Sequence, residues 1–229
     1  MSKNVLISIS DKSNLKRVLI NLKKYKFNII SSGGTYREIK RLGFKCHEVS
    51  DFTGFAEILG GRVKTLHPKI HAGILFKRKD SNHVSQMKRN NFENIDMVIV
   101  NFYPFEKTLQ TASDHKKIIE QIDIGGPALV RAAAKNFNDV VVVTKINQYD
   151  ELIYELKKNQ GKTSLEFRKK QSARAFEETS IYDTLISKYM NKKIDFLLPE
   201  TKIIFSKKIQ NLRYGENPHQ SAGIYSSEN

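Results

Sequence analysis

The segment Gly60-Gly61-Arg62-Val63-Lys64-Thr65-Leu66-His67-Pro68 sets two cations, a hydroxyl and a pair of glycines close together. Gln121-Ile122-Asp123-Ile124-Gly125-Gly126 adds a carboxylate and a second glycine pair, and Arg131-Ala132-Ala133-Ala134-Lys135-Asn136 adds two more cations. Glycines let backbone N–H groups approach an anion closely, and Arg62 and Lys64 can neutralise it. Hydroxyls recur with small residues and a lysine at Ser8, Ser10 and Lys12, and again at Ser32-Gly33-Gly34-Thr35. Asn101-Phe102-Tyr103 supplies an amide and a phenol after an apolar run. Together these residues suit a phosphorylated small molecule better than a set of plain turns.

Each piece alone has a simpler explanation. Ser32 could only cap a helix, and Arg62 and Lys64 could only share the solvated face of an extended stretch. Asp123 could only bias a helix start, and Arg131 and Lys135 could lie on one exposed helix face. Metal chemistry has little support. Pro68 between His67 and His71 argues against one helix presenting both, and Cys46-His47 has no partner set at ligand spacing. No nucleophile triad, Walker motif or dinucleotide fingerprint is present.

These residues need elements to position them. Asn4 to Ile9 is a continuous apolar run expected to be a buried strand, with Ser10-Asp11-Lys12-Ser13 as a turn and cap. Leu15, Val18, Leu19 and Leu22 have helical spacing. Phe27–Ser31 predicts a second strand, Ser32-Gly33-Gly34-Thr35 opens a helix to about Leu42, and Phe44 to Val49 predicts a third strand. A βαβαβ start predicts an open parallel sheet with right-handed crossovers. In such sheets ligands bind beyond the carboxyl ends of the strands, where Ser8 to Lys12, Ser32 to Thr35 and Asn101 to Tyr103 all fall.

Residues 50–80 are expected to be an irregular functional loop. Asp96 to Asn101 predicts another strand, Pro127 the first residue of a helix to about Asn136, and Val140 to Val143 a last central strand. Ala175, Phe176, Tyr182, Ile186 and Tyr189 predict long helical packing between about 163 and 190. Ile203-Ile204-Phe205 looks like a strand, before a run dense in polar and turn residues.

The chain has 229 residues, enough for a full core, and no apolar run of the roughly 18 residues a membrane helix needs. No membrane partner is expected, and the N-terminus lacks a signal-peptide layout. The single cysteine, Cys46, excludes an internal disulfide and fits a cytoplasmic protein. The net charge is +15, but the lysines are dispersed and form no aromatic-interleaved basic stripe, so no nucleic-acid partner is expected. Attraction of an anionic substrate is the expected by-product.

Seven of these stretches, from Ser8-Ile9-Ser10-Asp11-Lys12 through Arg131-Ala132-Ala133-Ala134-Lys135-Asn136, closely resemble the N-terminal half of a bifunctional purine-biosynthesis family. In that family IMP cyclohydrolase is joined to AICAR transformylase. The others are Ser32 to Thr35, Gly60 to Pro68, His71 to Leu75, Asn101 to Phe105 and Gln121 to Gly126, in the family's order. The resemblance implies an α/β fold: a methylglyoxal-synthase-like open parallel sheet flanked by helices, with a C-terminal helical extension. It divides the chain into residues 1–150 for that domain, 151–199 for the helical extension and 200–229 for the start of a transformylase domain.

It also implies the activity, which is dehydrative closure of 5-formamidoimidazole-4-carboxamide ribotide to IMP, with no cofactor and no metal. By family analogy Ser8, Ser10, Lys12, Ser32, Gly33, Gly34, Thr35, Arg62, Thr65, Asn101, Gly125 and Gly126 hold the ribotide. Lys64, Tyr103, Asp123 and Lys135 carry the chemistry, with Lys135 polarising the formyl oxygen and Asp123 handling a proton. Leu212 to Gln220 is similar to the first transformylase motif, where Arg213 and Tyr214 would help to bind AICAR. Most of that half and its catalytic Lys-His pair are absent from the sequence, so no transformylase activity, and hence no folate, is expected. A homodimer is expected from the family. The alternative is a non-catalytic nucleotide- or phosphate-sensing domain of the same fold. Retention of Lys64, Asp123 and Lys135 argues against it, because a sensor needs phosphate ligands but no proton-transfer set.

Overall fold

The computed structural model describes residues 3–111, 114–194, 200–201 and 203–227. The described elements, in chain order, begin with β1 (Lys3–Ile9), α1 (Leu15–Lys24), β2 (Phe27–Ser31), α2 (Gly33–Arg41) and β3 (His47–Glu48). There follow α3 (Val49–Thr53), α4 (Pro68–Leu75), α5 (Ser81–Arg89), β4 (Met97–Asn101), α6 (Phe105–Thr111), α7 (His115–Glu120) and α8 (Gly125–Lys135). The chain continues through β5 (Val141–Val143), α9 (Tyr149–Lys158), α10 (Leu165–Lys193), β6 (Ser206–Leu212) and β7 (Ala222–Ser227).

Strands one to five form one parallel sheet in the order β3-β2-β1-β4-β5. Side chains alternate across a strand, and both faces of this sheet are covered, which is why its strands are almost wholly apolar. Val5, Ile7 and Ile9 of β1, with Met97 and Ile99 of β4, pack with Leu15, Val18, Leu19 and Leu22 of α1 and Leu152, Ile153 and Leu156 of α9. Leu6, Val98 and Val100 face the other way, with Ile70 and Ile74 of α4 and Leu129, Val130 and Ala133 of α8. The order reverses at β1, whose neighbours are β2 and β4. A crevice therefore opens beyond the carboxyl ends of β1 and β4.

Several expected boundaries move. The third strand shrinks to His47 and Glu48, because α3 begins at Val49 and turns the chain away from the sheet. Val141–Val143 is an edge strand, not a central one. The 50–80 segment is not one irregular loop but contains α3, a short 3-10 turn at Leu59–Gly61, and α4. Pro68 opens α4, with His67 as its N-cap accepting from the Lys69 N–H at 3.1 Å. A proline there surrenders only an N–H that would have had no helical partner. Pro127 is the third residue of α8, not the first.

The chain divides into two compact units, 1–179 and 180–229, so the expected break at 150 is not observed. The reason is packing: Leu152, Ile153, Leu156 and Phe167 belong to the same apolar core as the strands. In the second unit Ile203–Phe205 is not a strand. The expected extended segment lies further on, as an antiparallel hairpin of β6 and β7 with Arg213 and Tyr214 in its connection. Among the described residues no helix is long and apolar enough to cross a membrane.

Candidate functional site

The carboxyl end of β1 is held by β4. Asn101 Oδ1 accepts from the Ser10 N–H at 2.6 Å and the Asp11 N–H at 3.0 Å, while its Nδ2 donates to the Asp11 carbonyl at 2.9 Å. Thr35, on α2, does the same from the other side. Its hydroxyl donates to the Ile9 carbonyl at 2.9 Å and accepts the Ile9 N–H at 3.1 Å. Asn101 and Thr35 therefore set the shape of the crevice floor, and their polar groups are spent on the backbone. Ser8, Ser10 and Lys12 stand on that floor, and Lys12 Nζ donates to the Ser10 carbonyl at 3.1 Å.

Next to the floor is the N-terminus of α2. The first N–H groups of a helix have no partner within it, and the aligned peptide dipoles make that end positive. The N-cap Ser32 gives no side-chain cap to these groups, and Gly33 adopts φ 55°, a left-handed conformation suited to glycine. Two ammonium groups converge on this end. A Cβ at Gly33 would lie 3.1 Å from Lys64 Nζ, and one at Gly34 would lie 3.9 Å from Lys12 Nζ and 3.9 Å from the Arg37 guanidinium. Uncapped amides, a positive helix end and two lysines form an anion cradle.

Thr65, next to Lys64, reaches a second helix end. It is buried, and a Cβ at Gly125 would meet its hydroxyl oxygen at 2.6 Å. Asp123 lies just before α8, its Oδ1 accepting the Gly126 N–H at 2.8 Å and its carboxylate filling the space a Gly126 Cβ would need. Both glycines are thus demanded by close approach of a polar side chain. Burial pushes the Asp123 carboxyl above its ordinary value, against the Gly126 N–H, which lowers it. Consecutive residues 64 and 65 therefore tie the α2 end to the α8 end.

The remaining expected site residues lie as follows. Tyr103 is half-exposed just past β4. Arg62 is paired with Glu120 at the end of α7. Lys135 is not brought to this cluster. It closes α8, which has 11 residues and begins at Gly125, so Lys135 lies roughly 15 Å along the axis from the Asp123 end. Arg213 and Tyr214 are in the second unit.

Sequence reasoning passed over Glu57, whose carboxylate pairs with Lys64 at 3.2 Å, and Glu120. A single acid just ahead of a Gly-Gly-Arg-Val-Lys motif was the available signal. Among the described residues no group of three His, Cys, Asp or Glu side chains could hold a metal. Burial pushes the Cys46 thiol up to about 12, which keeps it protonated and poorly nucleophilic at neutral pH.

The model of the MGS-like domain family matches residues 14–128, and that of the AICARFT/IMPCHase bienzyme matches residues 133–229. The bifunctional purine biosynthesis protein PurH of Persephonella marina is 48% identical over 229 residues, covering 99% of this chain and 44% of that protein. PurH of Clostridioides difficile is 46% identical over 229 residues, covering 100% of this chain and 44% of its own length. The chain thus spans less than half the length of the curated relatives it matches. The crystal structure of ForH superposes with a TM-score of 0.73 at 28% identity, covering 82% of this chain and 98% of ForH.

Proposed function

Since the chain belongs to the MGS-like domain family, we propose that it is an IMP cyclohydrolase. It would close 5-formamidoimidazole-4-carboxamide ribotide to IMP with loss of one water. The observation that carries this is the convergence of Lys12 and Lys64 on the uncapped α2 end, with Asp123 and Thr65 on the neighbouring α8 end. A monophosphate needs the first group, and a proton-transfer reaction on its base needs the second.

In the reaction the carboxamide nitrogen attacks the formyl carbon, and a C–N bond forms as that nitrogen loses a proton. The formyl oxygen takes up a proton, and the resulting carbinolamine expels it as water when a second N–H proton is lost. No electron transfer is involved, so the ring closure requires no redox cofactor. The α2 amides, Lys12 and Lys64 hold the phosphate, with Ser10 and Ser32 at the edge of the same cradle. Asp123 takes the proton from the attacking nitrogen and returns one to the departing hydroxyl. Its raised carboxyl is suited to both acts, because a proton shuttle works best when its pKa approaches the working pH. Negative charge on the formyl oxygen faces the positive end of α8, flanked by Tyr103. Lys135, at the other end of that helix, is given no step within the chain.

By the same family membership we propose a homodimeric, cytoplasmic enzyme. Sedimentation of the purified chain as a monomer at micromolar concentration would remove the first of these. The activity itself is tested by following IMP formation by absorbance with the formamido ribotide and no metal, folate or nucleotide added. Saturable turnover supports the cyclohydrolase, and IMP binding without turnover refutes it.

A further inference from the structure

A small crevice lies beside the cradle at the α2 end. The crevice bounded by Ser32, Glu48, Ser50, Phe55, Glu57 and Lys64 has a volume of about 10 Å³, room for roughly one water. A nucleotide-sized ligand needs on the order of 300 Å³ or more. Phe55 and Glu57, from the segment after α3, line this crevice together with Ser32 and Lys64.

Within that segment the Glu57 carboxylate lies 3.2 Å from Lys64 Nζ. A Cβ at Gly61 would lie 2.5 Å from Glu57 Oε1 and 3.1 Å from Lys64 Nζ, so glycine is what lets the acid and the ammonium meet there. Lys64 Nζ is in turn 3.1 Å from the Cβ position of Gly33 at the start of α2. The acid thus sits on the cation that the helix end would share with a phosphate. The segment is bounded by residues in the left-handed conformation, Gly54 at φ 72° on one side and Gly60 and Gly61 at φ 62° and 87° on the other. Leu59 between them has φ 51°, which is unfavourable for a side chain with a Cβ.

We propose that Glu57 is a positioning residue that occupies the place of the ligand's anion. It holds Lys64 at the α2 end in the empty protein and yields it when the ribotide phosphate arrives. This rests on the proposed function, since it assigns the cradle to a phosphate. The cost of binding is the lost ion pair and the movement of the 54–61 segment. The gain is that Lys64 is neither left as an unpaired cation nor free to point away before the ligand binds. Because the carboxylate competes with the ligand, removing its charge strengthens phosphate binding, whereas a merely structural role for Glu57 would weaken it or leave it unchanged.

The test is calorimetric titration of the full chain, parent and Glu57→Gln, with IMP and separately with inorganic phosphate, alongside the IMP-forming assay. Glu57→Gln is expected to bind both probes about twofold to fivefold more tightly, the range corresponding to an exposed ion pair. Lys64→Gln alone should weaken both. In the Lys64→Gln background the Glu57→Gln gain should vanish, which is the signature of an interaction between the two side chains. Equal or weaker binding by Glu57→Gln, with circular dichroism unchanged, overturns the role of Glu57, as does a gain that persists without Lys64. If the parent forms no IMP but Glu57→Gln still gains affinity for phosphate through Lys64, the cyclohydrolase assignment fails and the role of Glu57 stands. If the parent turns over and no gain appears, the reverse holds.

Discussion

Asp123 meets two demands that pull against each other. Its carboxylate is held at a helix start by the Gly126 N–H, yet burial disfavours its charged form and raises its pKa. A group whose folded pKa lies above its unfolded one favours folding in its protonated form, and that contribution is lost as pH rises through the folded value. Asp123→Asn stays neutral throughout and keeps an oxygen for the Gly126 N–H. It is therefore expected to melt above the parent at pH 8, with the gain shrinking below the ordinary carboxylate value of about 4. Thermal denaturation across that range checks it, and parallel melting at every pH contradicts it. The same variant should lose roughly 10²-fold or more in kcat while IMP binding changes little, because a proton shuttle acts on the reaction and not on affinity. Asp123 and Lys64 stood out in the sequence because they lie in short motifs with glycine pairs, and Lys12 because it follows two hydroxyls at the end of an apolar run. Glu57 was not, since only the fold of the 54–64 segment places that acid on Lys64.

The helix ends are where these residues become a site. α2 and α8 both start at the carboxyl edge of the sheet, and both start with glycine pairs, for different reasons. At Gly33 the need is a left-handed φ, whereas at Gly126 it is space for the Asp123 carboxylate. Gly126→Ala should therefore push Asp123 out of place and destabilise the chain by about 1–3 kcal/mol, the usual cost of forcing atoms into a packed position. Its loss of IMP formation should match that of Asp123→Asn, and a variant with full activity would show that the close approach is dispensable. Asn101 ties the β1 and β4 ends by three hydrogen bonds. Asn101→Ala leaves two N–H groups and a carbonyl without that partner and should cost about 1–3 kcal/mol in urea unfolding, with kcat/KM falling alongside. The apolar runs of β1, β2 and β4 announced these strands directly, and the pattern Ser-Gly-Gly-Thr announced the start of α2. The third strand was overread because Phe44 to Val49 is apolar enough for a strand, while the turn into α3 depends on packing. Lys135 was grouped with Asp123 by family analogy, and within the chain the 11-residue α8 sets the two at its opposite ends.

At the scale of the whole molecule, charge is what the fold leaves unspent. The chain carries 39 Lys and Arg against 24 Asp and Glu, and most of the excess is dispersed over exposed helix faces. The two-unit division at 179 was not legible, since nothing in the composition near that point departs from the rest of α10, and only the shared core reveals it. The sign of the field, by contrast, follows from composition alone. A net positive surface around a cationic cradle attracts a phosphorylated substrate over a distance set by salt. The screening length falls from about 10 Å at 0.1 M to about 3 Å at 1 M. Long-range attraction should then fade with salt, while the contacts of the seated phosphate with Lys12 and the α2 amides, being short-ranged, should persist. The rate of IMP formation at low substrate should accordingly fall severalfold between about 0.05 M and 0.5 M potassium chloride, with kcat nearly constant. A neutral, dephosphorylated analogue should bind weakly and show no salt dependence. If kcat fell together with kcat/KM, salt would be acting on the proton-transfer end of the site at Asp123 and not on the approach of the phosphate. If neither moved, the excess of lysine would serve solubility and leave recognition to the two helix ends alone.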